Sequence, residues 1–348
     1  MANIISQSNN INNIEISIDK HSNMLIIGKG ATSYNYKEIS YEDDYKQVLK
    51  NYGESDLTTA FKLAKEADVE GIFLLNIQDN FDIFSVLEDI KQNDFTYIVP
   101  INMYISDYFF DTYNSNKKTY YIEYLLKQIK NLNESVFILT DKHASLYENQ
   151  DAYLKDMNDI SNQINNSLSS DSYRENLIFV ANNLVSHKMS NIILASALCT
   201  TDMSIYPTAS FGEALFLIDE FDNVANFAYF KNHVGRATTV ENLLNFYLYG
   251  PQKIVTIQRI IKLITRELDF SEFQGKQYTE YQRLCIYKKL ELYLRTLVDY
   301  VIYKYDITSV VAYKDKNNLG TVIVVCDFDI WCKNCLEKCS ISSGVEIG

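Results

Sequence analysis

Residues 24–28 read Met-Leu-Ile-Ile-Gly, and residues 71–77 read Gly-Ile-Phe-Leu-Leu-Asn-Ile. Both are apolar runs of strand length bounded by glycine or polar residues. Between them, Ser55–Ala67 carries Leu57, Ala60, Phe61 and Ala64 at helical spacing. The same alternation continues downstream. Phe81–Gln92 reads as helix, Phe95–Ile101 as strand, Tyr120–Asn131 as helix, Ser135–Thr140 as strand, Asn149–Asn166 as helix and Asn176–Asn182 as strand. Strands and helices alternating at this spacing predict an α/β fold, a mostly parallel sheet covered by helices. Ser40 with Asp43 fits a capping box and predicts a further helix through Tyr52.

The texture changes after Val185. Lys188–Cys199 predicts a helix of small apolar residues, and Thr201–Phe211 a Ser/Thr/Pro loop. Thr238 with Glu241 is a second capping-box pattern, expected to start a helix over Val240–Tyr249. Pro251 suits the first turn of a helix reaching about Leu268. Thr279–Lys304 is long and amphipathic, with Tyr287, Leu290, Leu294, Leu297 and Val301 at helical spacing. Ser309–Lys314 and Thr321–Asp329 then predict a hairpin through the polar turn 315–320. The expected C-terminal part is an α+β domain with a β-hairpin, whose open edges are able to accept added strands.

Both ends read as short two-faced strands. Ile14, Ile16 and Ile18 alternate with Glu15 and Ser17, and Val345 and Ile347 flank Glu346. A lone strand leaves its backbone donors and acceptors unpaired. The first set is able to fold back on Met24–Gly28, and the tail on Thr321–Asp329; each is equally able to pair with another copy of the chain. The expected division is an N-terminal arm over 1–22, an α/β domain over 23–235, an α+β domain over 236–330 and a C-terminal arm over 331–348.

The chain has 348 residues, enough for two or three domains. Its hydrophobic content of 47% lies above the disordered regime, and 11 Gly with 3 Pro leave little for long flexible linkers. A formal net charge of −13 argues against a grip on nucleic acid or docking on anionic membrane, and suits a basic protein partner. No apolar run has the length of a membrane span, and Met1–Ser8 lacks the pattern of a signal peptide. Synthesis in the cytosol is expected, with no direct membrane insertion and with the six cysteines mostly reduced.

Several motifs suggest chemistry without completing it. Trp331-Cys332-Lys333-Asn334-Cys335 is similar to a thioredoxin-type Trp-Cys-x-x-Cys, but the surrounding strand and helix order is wrong for that fold. Cys326, Cys332, Cys335 and Cys339 are a candidate thiolate set for Zn²⁺ or an iron–sulfur cluster, although their spacing is not that of two knuckles. Gly28-Lys29-Gly30 follows a strand as a phosphate loop does, yet lacks the spacing of one, so its glycines read as a tight turn. The four histidines are scattered, and no nucleophile triad assembles. Asp219-Glu220-Phe221-Asp222 does not match an EF-hand loop and reads as a solvated face. No catalytic residue and no cofactor are assigned.

The order of segments resembles the tail sheath proteins of contractile phage tails and related bacteriocin particles. The resemblance rests on Leu25-Ile26-Ile27-Gly28, on Ile39–Tyr45 leading to Tyr52-Gly53, and on Leu57–Ala67 running into Gly71-Ile72-Phe73-Leu74. Phe95–Pro100, Val136–Thr140 continuing into Asp141-Lys142-His143, Lys188–Cys199, Val255–Leu268, Phe273–Lys276, Thr279–Lys304 and Val345-Glu346-Ile347 carry it onward. It spans essentially the whole chain; Cys332–Cys339 is no hallmark of the family.

The resemblance implies a non-enzymatic structural subunit, made in the bacterial host cytoplasm and built into a virion tail or phage-tail-like particle. It implies a homo-oligomer of hexameric rings in a helical stack, with the inner tail tube, baseplate and tail-terminator proteins as partners. The arm strands are then Ile14, Ile16 and Ile18 at one end and Val345 and Ile347 at the other. Val322, Val324 and Cys326 mark the strand that accepts a neighbour's arm. The alternatives are a soluble α/β enzyme or ligand-binding protein with a C-terminal Cys metal site, or another tail or baseplate structural protein.

Overall fold

The computed structural model describes residues 22–80, 82–93, 95–101, 103–110, 118–128, 135–167, 177–185, 189–200, 227–232, 238–241, 260, 264, 268, 270–273, 278–298, 300–314 and 322–332. The apolar runs form a six-stranded mixed sheet of β1 (Asn23–Gly28), β2 (Ile39–Glu42), β3 (Gly71–Asn76), β4 (Tyr97–Pro100), β7 (Val136–Thr140) and β8 (Leu177–Val180). Its order is β2-β3-β1-β4-β7-β8. Five strands run parallel, and β2 lies antiparallel on the β3 edge.

Period-two alternation sorts the side chains into two cores. Leu25, Ile27, Ile98, Phe137, Leu139 and Phe179 face one side. There they meet α3 (Asp82–Ser85), α4 (Leu87–Gln92), α5 (Tyr121–Gln128) and α6 (Gln150–Ser167) through Ile83, Ile90, Leu125 and Met157. Met24, Ile26, Leu74, Val99 and Ile138 face the other side. They meet α1 (Tyr45–Tyr52), α2 (Asp56–Glu66) and α7 (Ser190–Thr200) through Val48, Phe61, Leu194 and Leu198. Burial on both faces explains why these strands read as unbroken apolar runs.

β1 is an interior strand. It pairs with β3 on one side and β4 on the other, and even Asn23 is tied to Thr96, whose N–H donates to Asn23 Oδ1 at 2.7 Å. Of the two pairings open to Ile14–Ile18, a local hairpin on Met24–Gly28 finds no free edge, because both edges of β1 are taken. At the far side of the sheet, Ala181 N donates to Ala228 O and Ala228 N to Phe179 O, so a segment entering β9 (Tyr229–Asn232) covers the β8 edge.

Two capping-box expectations are corrected. Ser40 and Asp43 do not open a helix: Ile39–Glu42 pairs with β3, and the cap of α1 is Asp44, whose side chain accepts from Lys46 N. Thr238–Glu241 is likewise a strand, β10, antiparallel to β9. A four-residue cap pattern is local, and a neighbouring strand edge outweighs it. The helix expected over Val240–Tyr249 and the one after Pro251 fall almost wholly outside the described residues, as does the loop at 201–211. The helix expected over Phe81–Gln92 is two short ones, broken at Val86. A small hairpin, β5 (Tyr108–Phe110) with β6 (Lys118–Tyr120), was not expected.

Gly28 and Gly30 do not serve through a positive φ, which neither has. Each makes room. A Cβ on Gly28 meets Ile101 Cδ1 at 2.5 Å, and one on Gly30 meets the Asn76 side chain at 3.1 Å. Gly28→Ala is expected to cost about 1–3 kcal/mol through overpacking at the sheet centre. Urea unfolding followed by circular dichroism checks this, and a midpoint equal to that of the unchanged protein would show that Ile101 yields freely.

Among the described residues, the C-terminal part sets a long helix under a hairpin. The helix α8 covers Glu280–Leu297 and is capped by Thr279. It ends at Val298, earlier than the expected Lys304, because Ile302–Lys314 is a strand, β11. The partner strand β12 covers Val322–Cys332. Leu290, Leu294 and Leu297 of α8 pack with Val301 and Ile302 into a third core.

Candidate functional site

The β11–β12 hairpin carries the residues that the sequence assigned to assembly. Val322 pairs with Lys314, Val324 with Ala312 and Cys326 with Val310. One face of the hairpin sits on the helix: Tyr305, Ile307, Cys326, Phe328 and Ile330 pack against the core of α8. Burial, followed by the charge of Asp327, pushes the Cys326 thiol above its ordinary range, which leaves a protonated, weakly reactive side chain.

The opposite face points outward and is part aromatic, part acidic. Tyr303 is 57% exposed, Tyr313 55%, Val325 38% and Val311 37%. Lys304 Nζ lies 4.5 Å from the Trp331 ring centroid, a cation–π contact across the strand pair. Asp306 stands directly opposite Asp329, and Ser309 Oγ donates to Asp327 Oδ2 at 2.6 Å. Like charges directly opposed weaken a strand pair, so this face gains from a basic neighbour.

The backbone is the more telling feature. The strands are 13 and 11 residues long, and among the described residues no third strand joins them. The outer edges therefore present rows of donors and acceptors running roughly 43 Å on β11 and roughly 36 Å on β12. Shifts in register at Ile302/Lys304 and Ile307/Ser309 interrupt the β11 side, while β12 runs regularly. The regular edge is the one bearing Val322, Val324 and Cys326.

The arm residues Ile14, Ile16, Ile18, Val345 and Ile347 lie outside the described residues, as do Asp219–Asp222. Trp331 and Cys332 lie inside β12, two residues into the stretch expected as the C-terminal arm. They are strand residues paired with Lys304 and Ile302, and the rest of the motif, Lys333-Asn334-Cys335, lies outside the described residues. Cys326 and Cys332 stand six strand positions apart, roughly 20 Å. One metal ion, with sulfur ligands at about 2.3 Å, does not take both. Cys335 and Cys339 lie outside the described residues, among which no group of His, Cys, Asp and Glu is placed to hold a metal.

The phosphate-loop reading also fails on geometry. Gly30 N donates to Asn76 Oδ1 at 2.9 Å, and β2 intervenes before the first helix. The open depression beside it, about 600 Å³, sets Glu54, Asp56 and Asp79 against Lys29. Three carboxylates to one ammonium disfavour an anion. Among the described residues no helix is long and apolar enough to cross a membrane.

Sequence reading missed the outward aromatic set of Tyr303, Tyr313 and Trp331. Alternation alone puts Tyr303 and Tyr305 on one face; the register shifts at Ile302/Lys304 and Ile307/Ser309 separate them, and helical spacing over Tyr287–Val301 runs up to the same point.

No family model and no curated protein sequence matches the chain. Solved structures do. A chain in the cryo-EM structure of the 6-fold symmetrised anti-feeding prophage baseplate is similar with a TM-score of 0.66 at 9% identity, covering 94% of both chains. A chain of the contracted PVC sheath complex, an extracellular contractile injection system, has a TM-score of 0.65 at 9% identity, over 92% of this chain and 91% of that one. The sheath tail protein Lin1278 of Listeria innocua has a TM-score of 0.58 at 12% identity, over 90% and 94%. The chain has the fold found in contractile tail sheath structures, along nearly its whole length.

Proposed function

We propose that this chain is the subunit of a contractile tail sheath. The observation that carries the reading is the long, regular edge of β12, unpartnered among the described residues, on a chain sharing its fold with sheath proteins. Ile14, Ile16 and Ile18 of one copy, and Val345 and Ile347 of another, add as strands to this hairpin, with Val322, Val324 and Cys326 on the accepting strand. The closed edges of β1 support pairing of the N-terminal strand elsewhere than on its own neighbour in sequence.

Such pairing is head-to-tail and does not close on itself, so it propagates as a helix. Subunits stack as hexameric rings around an inner tail tube, between a baseplate and a terminator. Main-chain ladders hold while the bodies rotate, because they depend little on side-chain identity. Energy stored in the extended state drives the tube through a cell envelope without nucleotide hydrolysis. The role is structural, not enzymatic.

Negative-stain microscopy of the expressed full chain tests this. Long cogwheel-like tubes are expected. Monomers or small closed rings alone, at every concentration and salt tried, would sink the proposal.

A further inference from the structure

Asp141 follows β7 directly and is 0% exposed. Its Oδ1 accepts from Ser106 Oγ at 2.5 Å and from Lys142 N at 2.8 Å. Its Oδ2 lies 3.3 Å from the Tyr147 hydroxyl, and that hydroxyl is 3.0 Å from Asp156 Oδ2 on α6. Among the described residues no Lys, Arg or His side chain pairs with the Asp141 carboxyl. A phenol has one proton to donate. With both carboxyls ionised, it serves one of them and leaves the other facing an oxygen lone pair. For a fully buried carboxylate that is expensive.

One proton resolves the count. Asp141 Oδ2–H donates to the Tyr147 oxygen, and Tyr147 O–H donates to Asp156 Oδ2. We propose that Asp141 is protonated in the folded chain near neutral pH, making Asp141–Tyr147–Asp156 a proton-held clasp. The clasp joins the connection after β4, the carboxyl end of β7 and helix α6. It reaches β8 as well, because Asn182 Nδ2 donates to Asp141 O and Asn182 N to the Tyr153 hydroxyl.

The surroundings agree. Burial, reinforced by the charge of Asp156, pushes Asp141 up against the pull of its hydrogen bonds from Ser106, Lys142 N and Tyr147. Burial also raises Tyr147, which keeps its proton. On the β4 side Asp107 is raised by burial against hydrogen bonding from Tyr104 N and the charge of Lys142, and Tyr104 is raised by burial. Tyr153 of α6 is raised by burial. The ring nitrogens of His143 are taken by Leu184 O and Ser145.

The sign follows from linkage. An unfolded aspartate titrates near 3.9. A folded value above that means the folded chain holds a proton the unfolded chain has released. The stabilisation is complete below the unfolded value and is lost as pH rises through the folded one.

Asp141→Asn replaces the O–H donor with an N–H donor and keeps an acceptor for Ser106 and Lys142 N. Its thermal midpoint, relative to the unchanged protein, is expected to rise by about 3 °C or more between about pH 5 and about pH 8. A deficit that is equal at both pH values, or that deepens at high pH, would overturn the proposal by showing that the site holds an anion. Infrared spectra give a second test that needs no variant. A protonated carboxyl stretch is expected in the unchanged protein at about pH 6, and its absence there rejects the clasp.

Discussion

Deleting residues 341–348 is expected to abolish the tubes of the proposed sheath and to leave a folded monomer. On the proposed function, an eight-residue strand laid along β12 makes about four to six ladder bonds with its neighbour. Each is worth a net ~1 kcal/mol. Losing the joint then costs about 4–6 kcal/mol, roughly three to four orders of magnitude in association constant. Every subunit of the stack loses the same joint, so the loss is repeated along the polymer and tubes do not form. The fold is expected to stand, because among the described residues the three cores are built between Met24 and Ile330. Sedimentation shows the monomer, micrographs show the missing tubes, and the thermal midpoint stays within about 2 °C. Normal tubes from the truncated chain would remove the C-terminal arm from the assembly.

Asn76→Ala unfolds the chain more easily, by about 3 kcal/mol. Asn76 ends β3 with 0% exposure. Its Oδ1 accepts from Gly30 N, and its Nδ2 donates to Thr32 O at 2.9 Å and Tyr34 O at 2.8 Å. Its own carbonyl accepts from Lys37 N at 2.9 Å. One side chain therefore pins the whole connection from β1 to β2. Alanine leaves the buried Gly30 N without its partner, at about 1–3 kcal/mol, and releases two part-buried carbonyls at a smaller cost each. Asn76→Asp is no rescue: it keeps the acceptor for Gly30 N but turns an oxygen towards Thr32 O and Tyr34 O. Urea unfolding of both variants checks this. A change below about 0.5 kcal/mol for Asn76→Ala would mean that water replaces the amide at no cost.

Asn76 also shows where sequence reading stops. It sits in an apolar run, Gly71–Ile77, and nothing local distinguishes it from a polar residue at a strand end. Its partners lie more than forty residues away. The buried cluster around Asp141 has the same character, since Ser106, Tyr147 and Asp156 come from three separate segments. Ser40/Asp43 and Thr238/Glu241 failed for a related reason. Four residues carry a helix-start pattern equally well as a short strand, and the free edges of β3 and β9 decided for strand. The end of α8 was blurred because Val298–Tyr305 is apolar at spacings that both periodicities accept.

What the sequence determined by itself was the two-faced interior. Apolar runs at 24–28, 71–77, 95–101 and 135–140 have no polar face, so they are compatible only with strands covered on both sides, and the amphipathic segments between them supply that cover. It also specified a hairpin near the C-terminus, through alternation and turn chemistry. What only the tertiary structure decided was which edges are closed. Hydrogen-bond ladders form between segments distant in the chain, and side-chain periodicity is the same for an interior strand as for an edge strand. Pairing places β1 between β3 and β4 and leaves β12 with β11 alone among the described residues, and from that difference the assembly proposal follows.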